Sequence, residues 1–190
     1  MNHKNSRGFT LIELLVVAAI LGILLAIAIP NLIKARISAN EANARKSMQT
    51  LRDAEGMYYY QDLNNNGILD FTSRIGDLNT PNSLRCPSNT APCVEQDSTL
   101  DNSFEGAVTL NSTADCVDNK AGYCLKFAEE LGLSSLEGDF GWKASMARVR
   151  VTGNKDFSVY SDGTIRCTLS FAPIGSEGAF SANRNTIGCD

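Results

Sequence analysis

Side chains with the type and spacing for chemistry fall in three places along this chain. The first is Glu13, the one ionisable side chain in an apolar run from Phe9 to Ile29. A charged side chain at a bilayer centre costs about 3 kcal/mol on insertion scales, so a carboxylate kept there points to a function. The second is Asp62, Asn64, Asn66, the Ile68 carbonyl and Asp70, which follow the alternating oxygen positions of a calcium loop, with Gly67 at its turn. Ser73 stands where an EF-hand has its bidentate carboxylate, so modest calcium binding and a plain Asn/Gly turn both fit this segment. The third is the set of cysteines, Cys86, Cys93, Cys116, Cys124, Cys167 and Cys189. None of them forms a Cys-x-x-Cys motif, which argues against a zinc, redox or c-type haem site.

The elements that must position these groups begin with the apolar run. As a helix at about 1.5 Å per residue, Phe9 to Ile29 reaches about 30 Å, one bilayer crossing. Residues 1–8 are polar and basic, with His3, Lys4 and Arg7. A secretory signal has its small-residue cleavage site after the apolar stretch. Here the small residue at a boundary is Gly8, before it, so cleavage there leaves the helix on the mature protein.

The string Lys-Asn-Ser-Arg-Gly followed by Phe-Thr-Leu-Ile-Glu-Leu, residues 4–14, resembles the leader and cleavage site of the type IV pilin family, which includes the type II secretion pseudopilins. The likeness in motif covers roughly the first 55 residues, counted from the chain itself. It implies a prepilin peptidase that cuts between Gly8 and Phe9 and methylates the new Phe9 amino terminus. It places Glu13 as the assembly carboxylate, and Gly22 and Pro30 as the two points where the helix loosens or bends. It further implies identical or related pilin subunits and an inner-membrane assembly platform as partners. The protein would sit in the inner membrane as a single-pass chain, then in an extracellular pilus or a periplasmic pseudopilus. Some heads of this family also carry an Asp/Asn-rich loop just after the helix.

Charge alone does not orient the span, since Lys4 and Arg7 precede it while Lys34, Arg36, Arg45 and Lys46 follow it. The cysteines decide. All 6 lie C-terminal to the span, which suits an oxidising compartment outside the cytoplasm. Their pairing is not fixed by sequence. The expected set joins nearest neighbours: Cys86–Cys93, Cys116–Cys124 and Cys167–Cys189. The last loop resembles the C-terminal disulfide-bounded region of type IV pilins, which most pseudopilins lack.

From Asn31 to Gln61, Ile33, Ile37, Ala44, Met48, Leu51, Ala54 and Tyr58 recur at helical spacing and make one apolar face. Pro30 lacks a backbone donor and predicts a kink. Tyr58, Tyr59 and Tyr60 point in three directions on a helix, which favours packing over a conducting aromatic stripe. Further on, Phe104–Leu110 reads as a first strand, and Leu125–Leu133 as helix or strand. Ala147–Thr152, Phe157–Tyr160 and Thr164–Phe171 read as strands joined by hairpin residues. The expected fold is α+β. Residues 1–8 form a leader and 9–29 a transmembrane, filament-core half-helix; residues 30–61 form an amphipathic half-helix. Residues 62–190 form a disulfide-stapled head with a small antiparallel sheet on that helix.

Composition limits function. The net charge of −4 becomes more negative once Lys4 and Arg7 leave, which argues against nucleic acid as a partner. The sole histidine, His3, lies in the leader, so the mature chain has no histidine-based nucleophile activation or metal ligation. The expected function is therefore a structural filament subunit of a type IV pilus rather than an enzyme. A secretion pseudopilin or a minor pilin is the alternative, and a membrane-anchored calcium-binding protein a more distant one. No cofactor is expected beyond calcium at the loop.

Overall fold

The structure, a computed structural model, describes residues 9–62, 67–75, 78, 100–101, 103–109, 116, 118–131, 136–172, 174 and 178–189. Helix α1 spans Leu11–Gln61, with Pro30 inside it and helix on both sides. It stops at Asp62, which takes a left-handed φ of 44°. A short polar side chain tolerates that region better than most, and it closes many helices.

Two compact units divide the chain, residues 1–36 and 37–190. The described part of the first is the apolar beginning of α1. An 18-residue window of this helix has a mean hydropathy of 3.0, and none of that window is buried. It is long and apolar enough to cross a membrane. Leu14, Leu21, Leu25 and Ile29 are among its bare side chains.

The second unit has a core. Ala44, Met48, Leu51, Ala54 and Tyr58 line one face of α1 and are buried with Tyr123, Leu125, Trp142, Ala144, Phe157 and Val159 of a sheet. The sheet has strands β1 (Tyr123–Phe127), β2 (Gly141–Met146), β3 (Lys155–Tyr160) and β4 (Ile165–Leu169), in that order and antiparallel throughout. Its registers pair Tyr123 with Met146, Trp142 with Val159 and Phe157 with Cys167. Alternation along β2 and β3 sends Trp142, Ala144, Phe157 and Val159 to the core. Ser145, Asp156 and Ser158 go to the opposite face and are also buried. The edges are covered: Val108 bridges Leu125 beside β1, and Gly188 bridges Arg166 beside β4. Such contacts occupy backbone groups that would otherwise pair with other chains.

Several local expectations are corrected. In the segment Phe104–Leu110, expected as a strand, Ser103–Ala107 is a short helix, α2, and among the described residues Val108 alone bridges the sheet; Leu110 lies outside them. The described part of the ambiguous Leu125–Leu133, up to Leu131, divides into the end of β1 and a 3-10 turn at Glu129–Leu131. The strand expected at Ala147–Thr152 lies one step earlier, at β2, and 147–154 is the connection to β3. Arg150 has a positive φ of 59°, and the Thr152 hydroxyl and amide both return to the Arg148 carbonyl. Those bonds win over the Arg-Val alternation because they close the turn locally.

Two buried carboxylates tie the second unit together. Glu55, fully buried on α1, accepts the Trp142 indole N–H at 2.7 Å and the Thr72 amide at 3.1 Å. One carboxyl group thereby holds helix, sheet and the segment after the helix. Asp156 on β3 accepts the Ser145 hydroxyl at 2.7 Å, and the Ser181 amide and hydroxyl at 2.8 Å each. That anchors the C-terminal segment over the outer sheet face. Burial raises the Asp156 carboxyl above its ordinary value, against hydrogen bonds from Ser181, Ser145 and Ser170 that lower it.

The substitution Glu55→Ala should cost about 2 kcal/mol by leaving the Trp142 indole without its acceptor, and Glu55→Gln should cost less. Denaturant unfolding followed by the fluorescence of Trp142, the 1 tryptophan present, reads this directly. Asp156 makes a pH prediction. Its folded-state pKa lies above the unfolded one, so the folded protein keeps this proton to higher pH. Its contribution to stability is therefore largest in acid and declines as pH rises through the raised value. The stability difference between wild type and Asp156→Asn should accordingly be more favourable to wild type near about pH 3 than near about pH 7.

Candidate functional site

The start of α1 is closed by its own side chains. The Thr10 carbonyl accepts the first helical bond, from the Leu14 amide at 3.4 Å, which makes Thr10 the N-cap. Its hydroxyl accepts the Glu13 amide at 3.3 Å, and Glu13 Oε2 accepts the Thr10 amide at 2.8 Å. This reciprocal pair is a capping box. The same hydroxyl also donates to Oε2, at 2.7 Å. Both bonds to the carboxylate thus go to Oε2. The helix N-terminus also carries partial positive charge, which favours an anion in the first turn. So Glu13 is partly satisfied by its own chain, at the start of a helix where Phe9 is 85 % exposed.

The remaining sequence-selected residues fall as follows. Gly8 lies outside the described residues. A side chain added at Gly22 meets nothing within 4 Å, so no close contact among the described residues requires glycine there. Of the calcium-loop residues, Asn64 and Asn66 lie outside the described residues. Asp62 Oδ2 accepts the Gly67 amide at 3.0 Å, and Gly67 has a positive φ of 78°, the geometry of an Asx/Gly turn. Among the described residues no group of 3 or more His, Cys, Asp or Glu gathers as a metal site. Calcium therefore gains no support from this geometry. Cys116 is bonded to Cys124 and Cys167 to Cys189, with Cα separations of 5.8 and 5.3 Å. Cys86 and Cys93 lie outside the described residues. The Cys167–Cys189 bond ties the C-terminus to β4.

Sequence reasoning missed Thr10. Its signal was available, because Thr-x-x-Glu before an apolar run is a capping signature. The cost of the charge drew attention to Glu13 and away from its local partner.

A family model described as the prokaryotic N-terminal methylation motif matches residues 3–29. The chain is 39 % identical over 74 residues to the type IV major pilin protein PilA of Myxococcus xanthus, covering 39 % of this chain and 32 % of that protein. It is 60 % identical over 38 residues to the type IV wide pilus major component PilA4 of Thermus thermophilus, covering 20 % of this chain and 29 % of that protein. It is 45 % identical over 49 residues to the type IV narrow pilus major component PilA5 of the same organism, covering 26 % and 42 %. The chain spans less than half the length of each of these relatives. No solved structure matches it.

Replacing Thr10 by alanine removes the cap and should weaken the first turn by about 1 kcal/mol. Amide exchange at Thr10 and Glu13 in detergent micelles should then quicken about fivefold, the rate equivalent of that energy. Unchanged exchange would show that the capping box contributes nothing.

Proposed function

We propose that this chain is a prepilin of the type IV pilin family, a structural subunit that polymerises through α1 into a pilus. The observation that carries the reading is the Glu13 carboxylate in the first turn of a helix whose apolar side chains are bare. The methylation-motif match and the pilin relatives support it over the first part of the chain.

Cleavage between Gly8 and Phe9 releases an α-amino group at Phe9. It is cationic at neutral pH, with a usual pKa near about 7.7, and one N-methyl group leaves it a cation. Its place next to the Thr10 cap makes it available to a Glu13 carboxylate of an adjoining subunit. Apolar side chains gain little by leaving lipid for a neighbouring helix, so they bring subunits together without fixing register. A carboxylate–ammonium pair does fix it, because an unpaired charge in that setting costs several kcal/mol more than a paired one. Own-chain capping makes Glu13 tolerable in the membrane before assembly, and the intersubunit pair completes it afterwards. Gly22 and Pro30 then give α1 the two places where it can adjust inside the filament. The 37–190 unit remains outside the membrane, held by its disulfides. Catalysis has no part in this role. The Cys167–Cys189 loop favours a pilus subunit over a secretion pseudopilin.

The mass of the chain recovered from membranes should correspond to a start at Phe9 with one added methyl group. Glu13→Ala should be processed and inserted as wild type, while sheared filaments fall about tenfold or more, the equivalent of about 1.4 kcal/mol per subunit contact. Filaments at wild-type yield from that variant would overturn the register mechanism.

A further inference from the structure

In the second unit, a groove of about 290 Å³ lies between α1 and β3, lined by Arg45, Lys46, Gln49, Lys155 and Phe157, among others. Arg45 and Lys155 meet there, while the exposed Lys46 also lines the cavity beside α2. Among the described residues none of the three makes an ion pair, although Lys143, Arg166 and Arg184 elsewhere each have a carboxylate within 4.0 Å. The groove's own carboxylate, Glu41, is turned to the Asn154 amide at 2.9 Å, which fixes the end of the β2–β3 connection. The groove therefore keeps net positive charge in a chain whose total is −4.

A complementary surface exists on the same unit. Glu105 on α2 and Asp118 are both exposed, and neither has an ion pair among the described residues. The Asp118 amide bonds the Gly106 carbonyl at 2.8 Å, and its side chain lies against Gly106, so the two carboxylates form one knob. A Cβ at Gly106 would meet the Asp118 Cβ at 3.1 Å, so glycine allows this approach. The nearby cation, Lys120, is already answered by Asp101 at 3.5 Å and by the Phe104 ring at 4.2 Å. Helical spacing puts knob and groove on different flanks of α1. Its core stripe is Ala44, Met48 and Leu51. Glu41, Arg45 and Gln49 fall to one side with β3, while Asn43, Lys46 and Thr50 fall toward the other, by Phe104 of α2.

We infer that the Arg45–Lys155 groove receives the Glu105–Asp118 knob of a second copy of this chain. Two different patches on opposite flanks make a heterologous contact, which repeats without closing on itself and so builds an open helical filament. The contact is electrostatic and half exposed, so it sets which copy fits and in which orientation more than it adds affinity. It rests on the filament reading, and adds a lateral contact between heads to the contact between helices.

The test uses the full chain in cells, with a photo-crosslinking amino acid at Gln49 in the groove or at Leu21 in the apolar run. Gln49 adducts should map to residues around Glu105 and Asp118 of another copy. Adducts from Leu21 but none from Gln49 to that region would overturn the groove while leaving the filament reading intact. Lipid adducts from Gln49 in place of protein ones would overturn it likewise. Absence of copy-to-copy adducts from both positions would remove the filament reading itself. As a second arm, Arg45→Glu with Lys155→Glu should cut the Gln49 adduct about tenfold. Adding Glu105→Lys with Asp118→Lys should restore it to within about threefold, as reversed charges recover a specific pairing. No recovery, with all variants folded by Trp142 fluorescence, would contradict the pairing.

Discussion

Glu13 and the side chains around it pose the constraint on which the rest of the molecule depends. Leu11, Ile12, Leu14 and Leu15 are 80, 68, 63 and 60 % exposed, and one carboxylate stands among them. In water the leucines are costly; in lipid the carboxylate is. No single solvent suits both, and the capping box with Thr10 only partly relieves the conflict by giving Oε2 two donors. In the proposed assembly a second helix of the same kind, bringing its own amino terminus, would suit both at once. Apolar surface would pack against apolar surface and the carboxylate would gain a cation.

The 37–190 unit answers a different problem, folding stably on a small core. Its solution is a sheet covered on both faces. One face packs on Met48, Leu51 and Tyr58 of α1, and the other is polar, held under the C-terminal segment by Asp156. Glu55 and Asp156 are each placed where several elements meet, so each organises more structure than its size suggests. The Cys167–Cys189 bond and the Gly188 bridge secure the segment that covers β4. Positive charge left over after these internal pairings collects in the groove by Lys155.

Long periodic features were legible in the sequence and short ones were not. The apolar run and the heptad-like stripe from Ala44 to Tyr58 define α1 because each repeats over several turns. The β3–β4 hairpin was legible from Ser161-Asp162-Gly163, where Gly163 takes a φ of 74°. Strand β2 was overlooked although Trp142, Ala144 and Met146 alternate with Lys143 and Ser145, because it lacks β-branched residues. Helix α2 reads as a strand in the sequence, since Phe104, Val108 and Leu110 suggest alternation, while the Asp101 carboxylate caps Ser103 and starts a helix instead. At the candidate site, Glu13 stood out by its cost, whereas Thr10 looked ordinary. Partners three residues apart in one turn carry no periodicity to betray them.

The intersubunit pair is the central claim, and side-chain-resolution electron cryomicroscopy of sheared filaments measures it most directly. The Phe9 amino nitrogen should lie within about 4 Å of a Glu13 carboxylate from an adjoining subunit, the reach of an ion pair. A filament in which Glu13 contacts only its own Thr10 and apolar side chains, with the Phe9 amine elsewhere, would contradict the account.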